Sequence, residues 1–195
     1  MRWQSAACEA TDATNHSYGL AFVLLAYAHA TMAGVAEARP PIEEIYELME
    51  RRIWDAQCGL YADETTADWS QLQPYRGQNA NMHFCEALLA AHEATGDLIY
   101  LRRAEMLARN ITVRQAVLSD DLVWEHYHAD WTPDFDYNRH DRSNIFWPWG
   151  FQPGHLAEWA KLLLLLKRQQ AHLPESAMDF WPCAQALFDS AMEYA

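Results

Sequence analysis

The chain has 195 residues, 51% of them hydrophobic and 21% charged, with seven Gly and eight Pro. That length supports a buried core, and the low Gly and Pro content excludes a collagen-like, linker-rich or disordered chain. Twenty-seven acids against fourteen bases leave a formal charge of −13, which argues against a nucleic-acid or anionic-membrane partner, because both need a concentrated basic face.

The first seventeen residues carry no apolar run behind their basic residue, so no secretory signal is expected. Tyr18 to Ala33 is small and apolar almost all round, which predicts a helix buried on most of its surface. Its longest apolar run, Leu20 to Ala28, falls far short of the ~20 residues of a membrane span. Gly34 stops this helix, and Pro40-Pro41 opens the next. Glu43 to Trp54 is amphipathic, with Ile42, Ile45, Tyr46, Met49 and Ile53 opposite Glu43, Glu47, Glu50 and Arg51. Gln78 to Thr95 is again an Ala-rich apolar helix. Thr95-Gly96-Asp97 turns it into an amphipathic helix over Leu98 to Ile111. A third apolar helix runs within Pro153 to Gln170, and Pro174 and Glu175 lead into its partner, Met178 to Tyr194.

An apolar helix, a turn and an amphipathic helix thus recur three times, around Leu24-Leu25-Ala26, Leu88-Leu89-Ala90 and Leu162-Leu163-Leu164. Stacked hairpins of this kind place apolar helices inside and amphipathic ones outside, so the expected fold is an all-α toroid. Long segments, Asp55 to Arg76 and Thr112 to Gln152, join the hairpins on the rim where the inner helices begin. Short strands are expected there, because Val123 to His128 and Phe135 to Tyr137 show no helical period. A closed toroid needs about six hairpins. The whole chain therefore reads as one incomplete α/α barrel domain, residues 1–195, with open edges through which self-association is expected.

Two inner helices open with His-x-x-Glu: His83 with Glu86, and His155 with Glu158. Residues three apart share a helical face. Both histidines are expected in the first helical turn, where the helix dipole favours neutral imidazole, a base near neutral pH. Glu on the next turn is expected to orient the ring. Satisfied helix-start histidines are the bland alternative. The di-iron pattern runs Glu-x-x-His, the reverse order. His126, His128 and His140 lack a third ligand at recognisable spacing, so no metal is expected. No G-x-S-x-G, G-x-G-x-x-G or Walker loop occurs, and Cys85 reads as a buried thiol. The aromatic segment Trp124 to Phe151 suits either a sugar ring or a loop packing its own side chains. Cys8, Cys58, Cys85 and Cys183 form no C-x-x-C pair and read as reduced thiols of a cytoplasmic protein.

At these residues the sequence resembles the N-acylglucosamine 2-epimerase superfamily. Arg76-Gly77-Gln78-Asn79-Ala80-Asn81-Met82-His83-x-x-Glu86-Ala87 is similar to its R-x-Q-N-x-N-M-H-x-x-E-A signature. Pro148-x-Gly150-x-Gln152-Pro153-Gly154-His155-x-x-Glu158-Trp159 is similar to a block of the aldose–ketose, mannose-type isomerase branch. The resemblance implies an (α/α)6 barrel with a monosaccharide pocket at one mouth and no cofactor. It implies His155 as one of an acid–base pair working through a cis-enediol, Glu158 holding His155 and binding hydroxyls, and His83 opening the sugar ring. Asn79 and Tyr18 would bind the sugar and Met82 would line the pocket. Trp147 stands where relatives place an arginine, with Arg142 as its substitute.

Family members are about twice as long, and in the isomerase branch a second catalytic histidine comes from the C-terminal part. The resemblance therefore implies that this polypeptide by itself is a poor catalyst. Three functions stay open on the sequence: an aldose–ketose isomerase, a 2-epimerase, and a truncated, non-catalytic family member.

Overall fold

The computed structural model describes residues 2–4, 9–141, 143–172 and 178–194. Pro174 and Glu175, expected to lead into the last helix, lie outside these residues. In chain order the elements are β1 (Arg2–Gln4), β2 (Glu9–Asp12), β3 (Asn15–His16), α1 (Ser17–Met32), α2 (Arg39–Arg52), β4 (Trp54–Asp55), β5 (Leu60–Tyr61), β6 (Glu64–Thr65), β7 (Arg76–Gly77), α3 (Gln78–Thr95), α4 (Leu98–Arg109), β8 (His126–Tyr127), α5 (Pro153–Gln169) and α6 (Trp181–Glu193). The helices form three hairpins, α1–α2, α3–α4 and α5–α6. Helix α3 packs against α1 and α4, and α5 leans on both α3 and α4.

The punctuation follows local chemistry. Gly34 takes φ +91 behind α1, and Gly96 takes φ +76 between α3 and α4, a region that costs an L side chain strain. Asp97 caps α4 by accepting from Ile99 N at 2.9 Å. The first turn of α2 holds the proline pair. Helix α4 ends at Arg109 and continues as a π-helical turn, Asn110–Gln115, rather than as regular helix to Ile111. Phe135 to Tyr137 is turn, not strand. Its aromatics are satisfied by packing, Phe135 lying edge-on to Trp124 at 5.0 Å.

Helix α3 is the most enclosed element, with Phe84, Cys85, Ala87, Leu88 and Ala91 fully buried. Its Cys85 is a core thiol facing the Ala104 carbonyl, and burial pushes its pKa up. Helix α1 corrects the expectation of near-complete burial. Only Ser17, Ala21, Leu24 and Ala28 are buried, while Tyr18, Phe22, Val23 and Tyr27 are exposed. A helix apolar all round carries no information about which face its neighbours cover, and here α2 and α3 cover one side only. Helix α2 buries the expected Ile42, Tyr46 and Met49, its C-cap Ile53 is buried behind them, and Ile45, expected on the same face, is half-buried. Glu50, expected on its polar side, instead accepts from Tyr61 Oη at 2.5 Å and pairs with Arg103, whose guanidinium lies 3.5 Å from the Trp54 ring centroid.

The long connections are held by two-stranded antiparallel pairings. β3 pairs with β6 (Asn15 with Thr65, His16 with Glu64), β4 with β5, and β7 with β8 (Arg76 with Tyr127, Gly77 with His126). In the β4–β5 hairpin Gly59 has φ +66, and a Cβ there would lie 2.5 Å from Asn110 Nδ2. That amide donates to the Gly59 carbonyl at 2.8 Å, tying the π-helical turn to the hairpin. Gly59→Ala is expected to destabilise the fold by about 2 kcal/mol, from positive-φ strain and loss of this bond. Denaturant unfolding checks it, the midpoint falling with an unchanged slope.

Candidate active site

A cavity of about 750 Å³ opens at the N-terminal ends of α1, α3 and α5. It brings together four of the sequence candidates: Tyr18, Asn79, Trp147 and His155. It also gathers residues that no local spacing had linked, namely His16, Asp63, Glu64, Tyr75, Glu125 and His126. Ile145 and Phe146 stand at its wall with relative exposures of 81% and 74%. Asn79 Oδ1 is buried and has no hydrogen-bond partner among the described residues, so its acceptor capacity is unspent.

His155 is the third residue of α5, in the first turn as expected. Its Nδ1 lies 2.9 Å from Glu125 Oε1. Glu125 is 4% exposed and comes from the segment before β8, so the carboxylate holding the ring is Glu125, not Glu158. Glu158 acts on His155 only through its charge at longer range. The dipole argument for a lowered pKa is overturned as well. Burial of the ring pushes its pKa down, but the hydrogen bond and charge of Glu125, with Glu158 adding, push it above the ordinary imidazole value.

Gln78 completes the cluster. Its Nε2 is 3.1 Å from both Glu125 oxygens, and its Oε1 accepts from Trp159 Nε1 at 2.6 Å. His126 is fixed differently. Its Nε2 donates to the Pro148 carbonyl at 2.8 Å, and its Nδ1 therefore accepts from Tyr75 Oη at 2.9 Å. Both ring nitrogens are spent on the protein, and burial holds the ring's pKa down. Burial also pushes Asp63 well above the usual carboxylate range, against the N–H of Gly77 at 2.6 Å and the charge of Arg76.

The remaining candidates sit elsewhere. Met82 is 1% exposed within the core and does not line the cavity. His83 is the sixth residue of α3, in the second turn rather than the first. It lies one turn beyond Asn79 on the same helical face, outside the cavity lining, against the rings of Tyr18 (5.0 Å) and Phe22 (4.8 Å). Glu86 is its neighbour, 3.7 Å from Nδ1, as the i,i+3 spacing implied. Arg142 lies outside the described residues.

Helical hairpins with a cavity at one rim, a carboxylate-held histidine and an unspent amide are met by a family match over residues 2–195, to the model for N-acylglucosamine 2-epimerase (GlcNAc 2-epimerase). The chain belongs to the N-acylglucosamine 2-epimerase family. A D-mannose isomerase of Marinomonas mediterranea is 52% identical over 185 residues, covering 94% of this chain and 46% of that protein. A D-mannose isomerase of Thermobifida fusca is 38% identical, covering 93% of this chain and 44% of its own length. A solved structure of a D-mannose isomerase superposes with a TM-score of 0.89 at 50% identity, over 95% of this chain and 46% of that one. The cellobiose 2-epimerase of Spirochaeta thermophila, at 21% identity, shares the fold with a TM-score of 0.72 over 95% of this chain and 44% of its own. The three hairpins are thus part of an (α/α)6 barrel, and the chain spans about half the length of the curated relatives it matches.

Within this family member the His83–Glu86 pair makes a measurable prediction. The His83 imidazole, and then Lys161 with Nζ at 2.8 Å, hold the Glu86 carboxyl down at about 2 against partial burial. A depressed carboxyl stabilises the fold above its unfolded value of 4.5 and loses that contribution as pH falls toward 2. Glu86→Gln should therefore be less stable than wild type at neutral pH. The difference should shrink between pH 4.5 and 2 in denaturant unfolding.

Proposed function

We propose that the cavity binds a free hexose and that the site interconverts an aldose and a ketose of the mannose–fructose type. The observation that carries this is His155, held by Glu125 through Nδ1 with its Nε2 unbonded among the described residues and its ring lining the cavity. Relatives named D-mannose isomerase at 52% and 38% identity support the same chemistry. In the open-chain aldose, His155 removes the C2 proton and the C–H electron pair forms the C1=C2 double bond. The carbonyl pair moves to O1, which takes a proton from an acid, giving a cis-enediol. Loss of the O2 proton and return of a proton to C1 then yield the ketose. No metal is needed, because a neutral base and a hydrogen-bond donor suffice for proton abstraction beside a carbonyl.

In this reading Asn79 and Tyr18 bind hydroxyls, Trp147 supplies an apolar wall and Glu158 contacts the sugar. Ring opening falls to His83, which the sugar reaches along the Asn79 face of α3. Free thiols at Cys58, Cys85 and Cys183 support a cytoplasmic setting. Among the described residues no helix is long and apolar enough to cross a membrane. A 2-epimerase would share the first proton transfer and return the proton to C2. His155-x-x-Glu158-Trp159 favours the isomerase.

The test fuses this chain to the remaining hairpins of the Marinomonas mediterranea relative. The fused barrel should convert mannose to fructose. His155→Ala should lower kcat by ~10²–10⁴-fold, and Asn79→Ala should chiefly raise KM. Full turnover in His155→Ala, or glucose as the product, contradicts the isomerase reading. As a 195-residue polypeptide the chain should show activity near background and should self-associate through the exposed Phe22, Val23 and Tyr27. Sedimentation at the monomer mass of 22.5 kDa would contradict the latter.

A further inference from the structure

The buried cluster around His155 decides more than where the ring sits. Trp159 Nε1 is a donor only, and it lies 2.6 Å from Gln78 Oε1. That contact fixes the amide, so the NH₂ end of Gln78 faces Glu125 and His155. Gln78 Nε2 is 3.1 Å from each Glu125 oxygen and 3.0 Å from His155 Nδ1. Two groups therefore compete for Nδ1: Glu125, which can only accept, and Gln78 Nε2, which can only donate. Glu125 is 4% exposed, and a carboxylate so enclosed needs every donor within reach.

We propose that Glu125 is a positioning residue that holds the proton of His155 on Nδ1 and leaves Nε2 as the basic atom facing the cavity, with the Trp159–Gln78 pair keeping Glu125 in place. This deepens the isomerase reading and rests on it for the role of His155 as base. Without Glu125, Gln78 Nε2 becomes the neighbour of Nδ1 and the proton moves to Nε2, which closes the basic lone pair to the sugar. The same carboxylate raises the affinity of the ring for a proton, and the other charged or titratable groups around it are Glu158 on its own helix and His16, Tyr18, Asp63, Glu64, Tyr75 and His126 in the cavity wall.

The experiment reads the side-chain nitrogen resonances of His155 in the ¹⁵N-labelled chain across pH, which needs no turnover. Wild type should show Nδ1–H in the neutral form, with a titration midpoint above 6.5. Glu125→Leu should switch the neutral ring to Nε2–H, and Glu125→Gln, which keeps the shape and removes the charge, should move the midpoint down. The Nε2–H signal of His126 and the melting temperature report that the fold is kept. Should Glu125→Leu fail to fold, the wild-type tautomer and the Glu125→Gln midpoint still decide. An Nε2–H ring in wild type, an unswitched ring in folded Glu125→Leu, or an unmoved midpoint in Glu125→Gln overturns the proposal. If the tautomer is as stated while the fused barrel leaves mannose unchanged, the isomerase reading falls and the positioning role stands.

Discussion

Two residues of backbone pairing, Arg76 and Gly77 against Tyr127 and His126, join the start of α3 to the rim segment between the second and third hairpins. The Gln78 N–H then donates to the Glu125 carbonyl at 3.2 Å, which places the Glu125 carboxylate beside the first turn of α5. Space at this crossing is tight. A Cβ on Gly77 would lie 2.7 Å from the Tyr75 hydroxyl and 3.1 Å from Asp63 Oδ1. The close approach explains why glycine precedes α3. Three contacts of the cavity wall lie around that pairing: Glu125 holds His155, Tyr75 bonds His126, and Gly77 N–H holds Asp63.

The cavity combines groups of opposed electrostatic character within one wall. His155 is kept easy to protonate by a buried carboxylate, whereas His126, with both nitrogens bonded to neutral partners, is kept neutral by burial. The two histidines differ in exposure, His126 being 1% exposed and the His155 side chain 26%, and they differ in what touches their second nitrogen. Of the two, His155 keeps Nε2 without a partner among the described residues, which is the condition that the proposed base must meet.

Much of the architecture was legible because helical periodicity and turn chemistry are local. The three apolar helices, the Gly34 stop and the Thr95-Gly96-Asp97 turn follow from short-range rules, and His83–Glu86 follows from i,i+3 geometry. The cluster at His155 was not legible for a physical reason. Glu125 lies 30 residues from His155 and 47 from Gln78, and no periodicity connects them. A local rule finds Glu158 instead. The Gln78 position was visible only as part of a motif. Met82 was misplaced because it sits roughly 60° around the helix from Asn79, on the side turned into the core. The exposed face of α1 was hidden by its uniform apolar composition.

The central claim is that a sugar chain lies between Asn79 and His155. A crystal of the protein grown with D-mannitol, an open-chain polyol, tests it most directly. The account predicts a hydroxyl bonded to the Asn79 side-chain amide and the second carbon of the chain facing His155 Nε2, with Glu125 still on Nδ1. Mannitol bound away from this cavity, or a His155 ring turned so that Nε2 bonds the protein, would contradict it.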